Sequence, residues 1–265
     1  MKTLTLYGID DGKDVSHSSE LCSLASSLEH PHITELALYI NELCFSYFNQ
    51  WQLVIDAYQE LQQLLENLNA VSDQAVDGAV FSAYDIRSVQ IEGTCRDYAY
   101  LMIISAKSLL DLIACLVDVL VYRIIRPEHQ MVDLRYLVVR GLKEASVAPV
   151  LTVMQGLLDK IQYPWVDTIK TCRDRLIHRG YRIKPAFSFK KSKELSMKMI
   201  KGNSADEDLI EIGQLFDDFI NGLPRIEASI CAALAMVIPE LRQGKKVEMH
   251  YKAGGGMTQY HFKEI

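Results

Sequence analysis

The residues best equipped for chemistry lie together in Thr171-Cys-Arg-Asp-Arg-Leu-Ile-His-Arg-Gly180. Asp174 and His178 are four apart, so on a helix they share a face. That spacing predicts a carboxylate that fixes the histidine tautomer and leaves the other ring nitrogen to handle a proton. Arg173 adds a planar fork of donors suited to a phosphate. Arg173 and His178 point about 140° apart on an ideal helix. They meet only if the helix ends or distorts there, or if two subunits face each other; Gly180 favours the first route.

An Arg-x4-His spacing arises readily by chance, and a histidine near a helix C-terminus often does no more than complement the helix dipole. Location gives the segment its weight. The chain has 265 residues and a net charge of -6, so no global positive field attracts nucleic acid. Residues 1–90 carry thirteen acidic and three basic side chains, whereas 173–201 carry ten basic against Asp174 and Glu194. The Arg-His pair therefore opens the one strongly basic stretch of an acidic protein.

The elements that position it read as mainly α. Apolar residues from Ile40 through Cys44, Tyr47, Trp51, Ile55 and Tyr58 to Leu68 recur at three and four, predicting a long amphipathic helix from about Glu35. Ser72–Tyr84 reads as a linker. A second long helix runs from about Asp85 to Arg126 and stops at Pro127. Its Tyr98–Ile125 stretch is broken by Lys107, Asp111 and Asp118, which predicts a buried helix and not a membrane span. Residues 132–142 read as helix. Pro149 suits a first-turn position ahead of a stripe of Leu151, Met154, Leu157, Leu158 and Ile161. Pro164 starts the helix that carries the motif, with Trp165, Ile169, Cys172 and Leu176 on one side and Gly180 as its cap. Ser204-Ala-Asp-Glu207 is a capping-box signature for a further helix, and Gly222-Leu-Pro separates that one from a last helix carrying Ile226, Ile230 and Leu234.

Strand signals are few. Thr3–Tyr7 is a short strand, residues 8–34 read as polar and irregular, and 181–200 and 247–263 as hairpins, the second turning at Gly254-Gly-Gly256. Several amphipathic helices with short connections predict a helical bundle in a single domain, 1–265, with a core at about 39–240 and a small accessory β-hairpin region at 1–7, 181–200 and 247–263.

Other candidates carry less. His30 and His32 flank Pro31 without a following ligand cluster, so no metal site is expected. Six cysteines lie far apart in sequence, which excludes a zinc knuckle or redox pair and suits small buried residues in a reducing, cytoplasmic setting. The N-terminus lacks the apolar run of a signal peptide. His250 and His261 fall opposite each other if the last hairpin forms. Glu92 and Arg96 make a helix-surface pair, and Lys107 with Asp111 makes another, read as lining the cleft of the site.

The Arg173-Asp174-Arg175-Leu176-Ile177-His178 motif, at the end of an amphipathic helix behind a long apolar one, resembles the HEPN domain superfamily over residues 39–240. The resemblance implies a HEPN-type helical bundle and a metal-independent ribonuclease without cofactor, working as a homodimer. By this resemblance His178 acts as acid or base, Arg173 stabilises the phosphoryl group, Asp174 orients His178, and the RNA ends in a 2',3'-cyclic phosphate. Arg175, Arg179, Arg182, Lys184, Lys190 and Lys191 then hold the RNA backbone. Such a protein serves as a toxin or defence factor, with an antitoxin or regulatory protein as partner. Some toxins of the family carry a tyrosine two places after the histidine; here Gly180 stands there and Tyr181 follows. The alternatives are a non-catalytic RNA-binding scaffold using the same basic segment and a protein-interaction module.

Overall fold

The computed structural model describes residues 5–10, 13–27, 34–74, 81–121, 133–142, 145–187, 195–201, 207–242, 247–254 and 257–264. The fold is mainly α, as expected. Helices α1 (Glu20–Ser27), α2 (Thr34–Gln74) and α3 (Phe81–Leu120) precede a short α4 (Leu134–Tyr136) that widens into a π-type turn over Leu137–Gly141. Then come α5 (Ala148–Gly156), α6 (Pro164–His178) and α7 (Ile212–Arg242).

The three long helices share one burial rhythm. On α3, Cys95, Ala99, Met102, Ala106, Leu109, Ile113, Leu116 and Leu120 are buried, stepping by four and three. On α7 the same steps join Ile212, Phe216, Phe219, Leu223, Ile226, Ile230, Ala233 and Val237. Alternate steps of four and three keep one stripe of a helix against its neighbours, the requirement of bundle packing. From Ile212 to Pro239, α7 is apolar and long enough by composition to cross a membrane, with 44% of the tested stretch buried inside the protein.

By packing, the chain divides into two compact units. The first comprises Met1–Asn49, Leu109–Tyr163 and Gly222–Ile265; the second comprises Gln50–Ser108 and Pro164–Asn221. In the first, the Tyr47 hydroxyl of α2 donates to Glu227 of α7, and Cys44 of α2 lies against the Cys22 backbone of α1. In the second, Phe219 of α7 takes Trp51 of α2 at 5.8 Å and the edge of Trp165 of α6 at 5.4 Å between ring centroids.

Three small antiparallel sheets accompany the helices. Strands β1 (Thr5–Asp10) and β2 (Lys13–Ser18) pair at the N-terminus, and β6 (Val247–Gly254) with β7 (Met257–Glu264) near the C-terminus. The register of the last pair sets His250 opposite His261, as the sequence suggests. Strands β3 (Tyr181–Phe187) and β4 (Leu195–Lys201) form the expected hairpin, to which β5 (Glu207–Glu211) adds a third strand.

Several expectations need correction. Within the stretch 8–34 the described residues are not irregular: they hold the end of β1, all of β2, and α1, whose entry is capped by Ser19 Oγ accepting from Cys22 N at 3.1 Å. The capping-box signature at Ser204–Glu207 does not start a helix. Glu207 lies in β5, paired to β4, and the helix begins at Ile212, because strand pairing offers this backbone its hydrogen bonds. Nor does Gly222-Leu-Pro divide two helices. Pro224 lies inside a continuous α7, where the buried stripe through Leu223 and Ile226 outweighs the lost hydrogen bond. The α5 stripe stops short of Ile161, which is 92% exposed. There Asp159 Oδ1 accepts from Ile161 N at 2.8 Å and turns the chain away from the helix. Helix also covers Ser72–Gln74 and Phe81–Tyr84 of the expected linker. The Arg126–Pro127 boundary lies outside the described residues.

Candidate active site

Helix α6 explains where the Arg-His pair sits. Pro164 opens it, Asp167 complements the dipole in its first turn, and Trp165, Val166, Ile169 and Cys172 bury one side. This anchored face leaves the last turn to solvent: His178, Arg179 and Gly180 are exposed. Arg179 N still donates to Arg175 O at 3.2 Å, and Gly180 then takes φ +65°, the left-handed conformation that ends helices. The chain continues directly into β3.

At this terminus the side chains of Arg173 and His178 meet. Arg173 Nη1 lies 2.9 Å from His178 Nε2. The same nitrogen donates to Asp174 Oδ1 at 3.2 Å. The convergence that ideal geometry opposes is achieved within one chain, by a long arginine side chain reaching a histidine on the final helical residue. A guanidinium carries donors only, so His178 Nε2 is the acceptor.

Asp174 does not orient His178 as the shared helix face suggests. Its carboxylate pairs with Arg173, the adjacent cation, because a charge-assisted bond is stronger than one to a neutral imidazole. Among the described residues, the contacts of Arg173 run through Nη1.

The surrounding basic residues are placed unevenly. Arg179 and Arg182 are exposed, and half-buried Arg175 holds its guanidinium 5.3 Å from the centre of the Tyr181 ring, a cation–π contact. Lys184 lies on β3, opposite Lys198 of β4. Lys190 and Lys191 lie outside the described residues. Lys107 and Asp111 are half-buried on consecutive turns of α3, which on its own does not join them to the Arg173–His178 pair.

Among the described residues, no group of three His, Cys, Asp or Glu is placed to hold a metal ion. His30 and His32 fall outside those residues. Cys22, Cys44, Cys95 and Cys172 are buried and form no disulfide. A hydrogen bond with Cys44, then burial, pushes the Cys22 thiol well above its ordinary range, so it is inert at neutral pH.

A second polar cluster escaped the sequence reading. Glu227 is only 5% exposed, and it accepts from Tyr47. Burial pushes its carboxyl up to about 8, although the Ser19 hydroxyl and the Glu20 backbone hydrogen-bond to it and oppose the shift. The signal was present: Glu227 falls within the buried stripe between Leu223 and Ile230. In the other unit, Tyr58 donates to Asp217, and burial followed by that carboxylate raises the phenol to about 12. Both pairs brace α2 against α7.

Compared with family models, curated proteins and solved structures, the chain matches none of them.

Proposed function

We propose that the chain is a metal-independent endoribonuclease of HEPN type, working as a cytoplasmic homodimer that serves as a toxin or defence factor under an antitoxin or regulatory protein. The observation that carries this reading is the 2.9 Å contact of Arg173 with His178 on an exposed helix end that leads into basic strands. Two groups that can serve phosphoryl transfer, a proton-handling imidazole and a guanidinium, lie together at a helix end whose last turn is exposed.

In this reading His178 takes the proton of an RNA 2'-hydroxyl. The freed oxygen attacks the adjacent phosphorus, the bond from phosphorus to the 5'-oxygen breaks, and a 2',3'-cyclic phosphate forms. The leaving 5'-oxygen regains a proton from His178 or from water, so no metal and no cofactor enters the step. Arg173 stabilises the charge on the phosphoryl oxygens. Arg179 and Arg182, with Lys184, Lys190 and Lys191 beyond them, hold the backbone without reading sequence. Arg175 supports this surface through Tyr181. Asp174 holds Arg173.

The test replaces the nucleophile. RNA and a 2'-O-methylated copy of the same sequence are incubated with the protein in EDTA. Cleavage of the RNA alone supports the reading. Binding of both without cleavage converts it to a non-catalytic RNA-binding scaffold, and binding of neither points to a protein-interaction module.

A further inference from the structure

Helix α6 ends at His178, and the chain passes through Gly180 into β3, which starts at Tyr181. Successive residues of a strand alternate between the two faces of its sheet. On β3, Arg182 is exposed and Ile183 is buried, so Arg182 stands on the solvent face and Ile183 on the covered one. Lys184, two places after Arg182, shares the solvent face. The register carries this assignment across the sheet. Lys184 pairs with Lys198 of β4, and directly opposed residues share a face, so Lys198 joins them. The exposure of Glu211 on β5 agrees, because Glu211 pairs with Ser196, two places before Lys198. Lys201 differs. It pairs with Tyr181 and falls on the face of Ile183.

Charge on the solvent face is therefore graded. Arg182 and Lys184 occupy β3 and Lys198 the middle of β4, on strands about 5 Å apart. Glu207 and Glu211 hold the same face on β5, at the far edge of the sheet. A polyanion is attracted to the first two strands and repelled by the third.

We propose that the solvent face of β3 and β4 is the track along which the RNA backbone runs away from the Arg173–His178 pair, with Lys198 as one of its phosphate-binding residues and the acidic β5 as its boundary. This inference rests on the ribonuclease reading. A phosphodiester chain fits the track because its cations are contiguous with the exposed end of α6, where the reacting phosphate would sit. Lysine serves as a point charge there, so the track holds RNA of any sequence. Lys201 belongs to the same basic stretch of sequence as Lys198, yet the register keeps it off the track.

Binding of a uniformly 2'-O-methylated single-stranded RNA oligomer, which cannot be cleaved through its 2'-oxygens, is followed with the full chain by fluorescence anisotropy over a series of salt concentrations. Each phosphate contact removed lowers the slope of log affinity against log salt by about 0.7. Lys198→Gln should lose one such step. Lys198→Arg, which keeps the charge, and Lys201→Gln, on the other face, should keep the wild-type slope. The proposal is overturned if Lys198→Gln keeps that slope, or if Lys198→Arg or Lys201→Gln loses as much as Lys198→Gln. It is also overturned if the wild type binds no oligomer, which would point to a protein partner for this face. Failure of the ribonuclease reading looks different: the oligomer binds with the expected pattern, yet unmodified RNA stays intact.

Discussion

Arg173 and His178 stand five residues apart on α6, yet their side chains meet at 2.9 Å. A regular helix turns these two positions about 140° away from each other. The contact exists because the long arginine side chain reaches a histidine on the final helical residue.

Gly180 should resist replacement. Nothing lies within 4 Å of a Cβ added there, so the penalty comes from the backbone φ of +65° and not from crowding. Gly180→Ala should cost about 1–2 kcal/mol in urea-induced unfolding. Gly180→Asn should cost less, because asparagine tolerates the left-handed region.

Glu227 makes stability depend on pH. Its carboxyl ionises at about 8 in the folded chain against 4.5 for the ordinary group. Below 4.5 both states hold the proton and its contribution is complete. Between 4.5 and 8 only the unfolded chain releases the proton, so stability falls as pH rises; above about 8 the slope from this group ends. The total is on the order of a few kcal/mol. Equilibrium unfolding across this window should show the decline, and Glu227→Gln, which keeps the shape and cannot ionise, should flatten it. An unchanged slope in the variant would mean that another group is responsible.

Phe219 joins the aromatic packing of the second unit, against Trp51, Trp165 and Phe216. It is fully buried, so Phe219→Ala should destabilise the chain by about 3–5 kcal/mol. The cavity lies beneath the helix that carries Arg173 and His178, so any ribonuclease activity should decline with it. Urea unfolding checks the first expectation and RNA cleavage the second.

Pro224 offers the opposite case. It is exposed within α7 and supplies no backbone hydrogen to the turn before it. Pro224→Ala should raise stability by about 1–3 kcal/mol. A loss of stability instead would show that the ring makes a packing contribution that its exposure does not suggest.

The long helices were legible because burial follows their own apolar steps of four and three. What failed were local signals that tertiary structure overrules. Gly222-Leu-Pro reads as a break, yet Leu223 and Ile226 are buried and carry the helix across it. Ser204–Glu207 has the spacing of a capping box, yet β4 claims Glu207 for a sheet. The short α1 depends on the Ser19 cap and on packing against α2, and eight residues leave too little periodicity to announce it. At the site, Arg173 and His178 could be found from residue type and basic surroundings. The partner of Asp174 could not, since helical spacing gives the direction of a side chain and says little about how far an arginine reaches along the helix.

The most direct test of the account is cleavage of mixed single-stranded RNA and tRNA in EDTA by wild type, Arg173→Ala and His178→Ala proteins of verified fold. The account predicts wild-type cleavage that leaves 2',3'-cyclic phosphate ends, and a loss of at least about 100-fold in each variant. No cleavage by the wild type, or equal cleavage by all three, would contradict it.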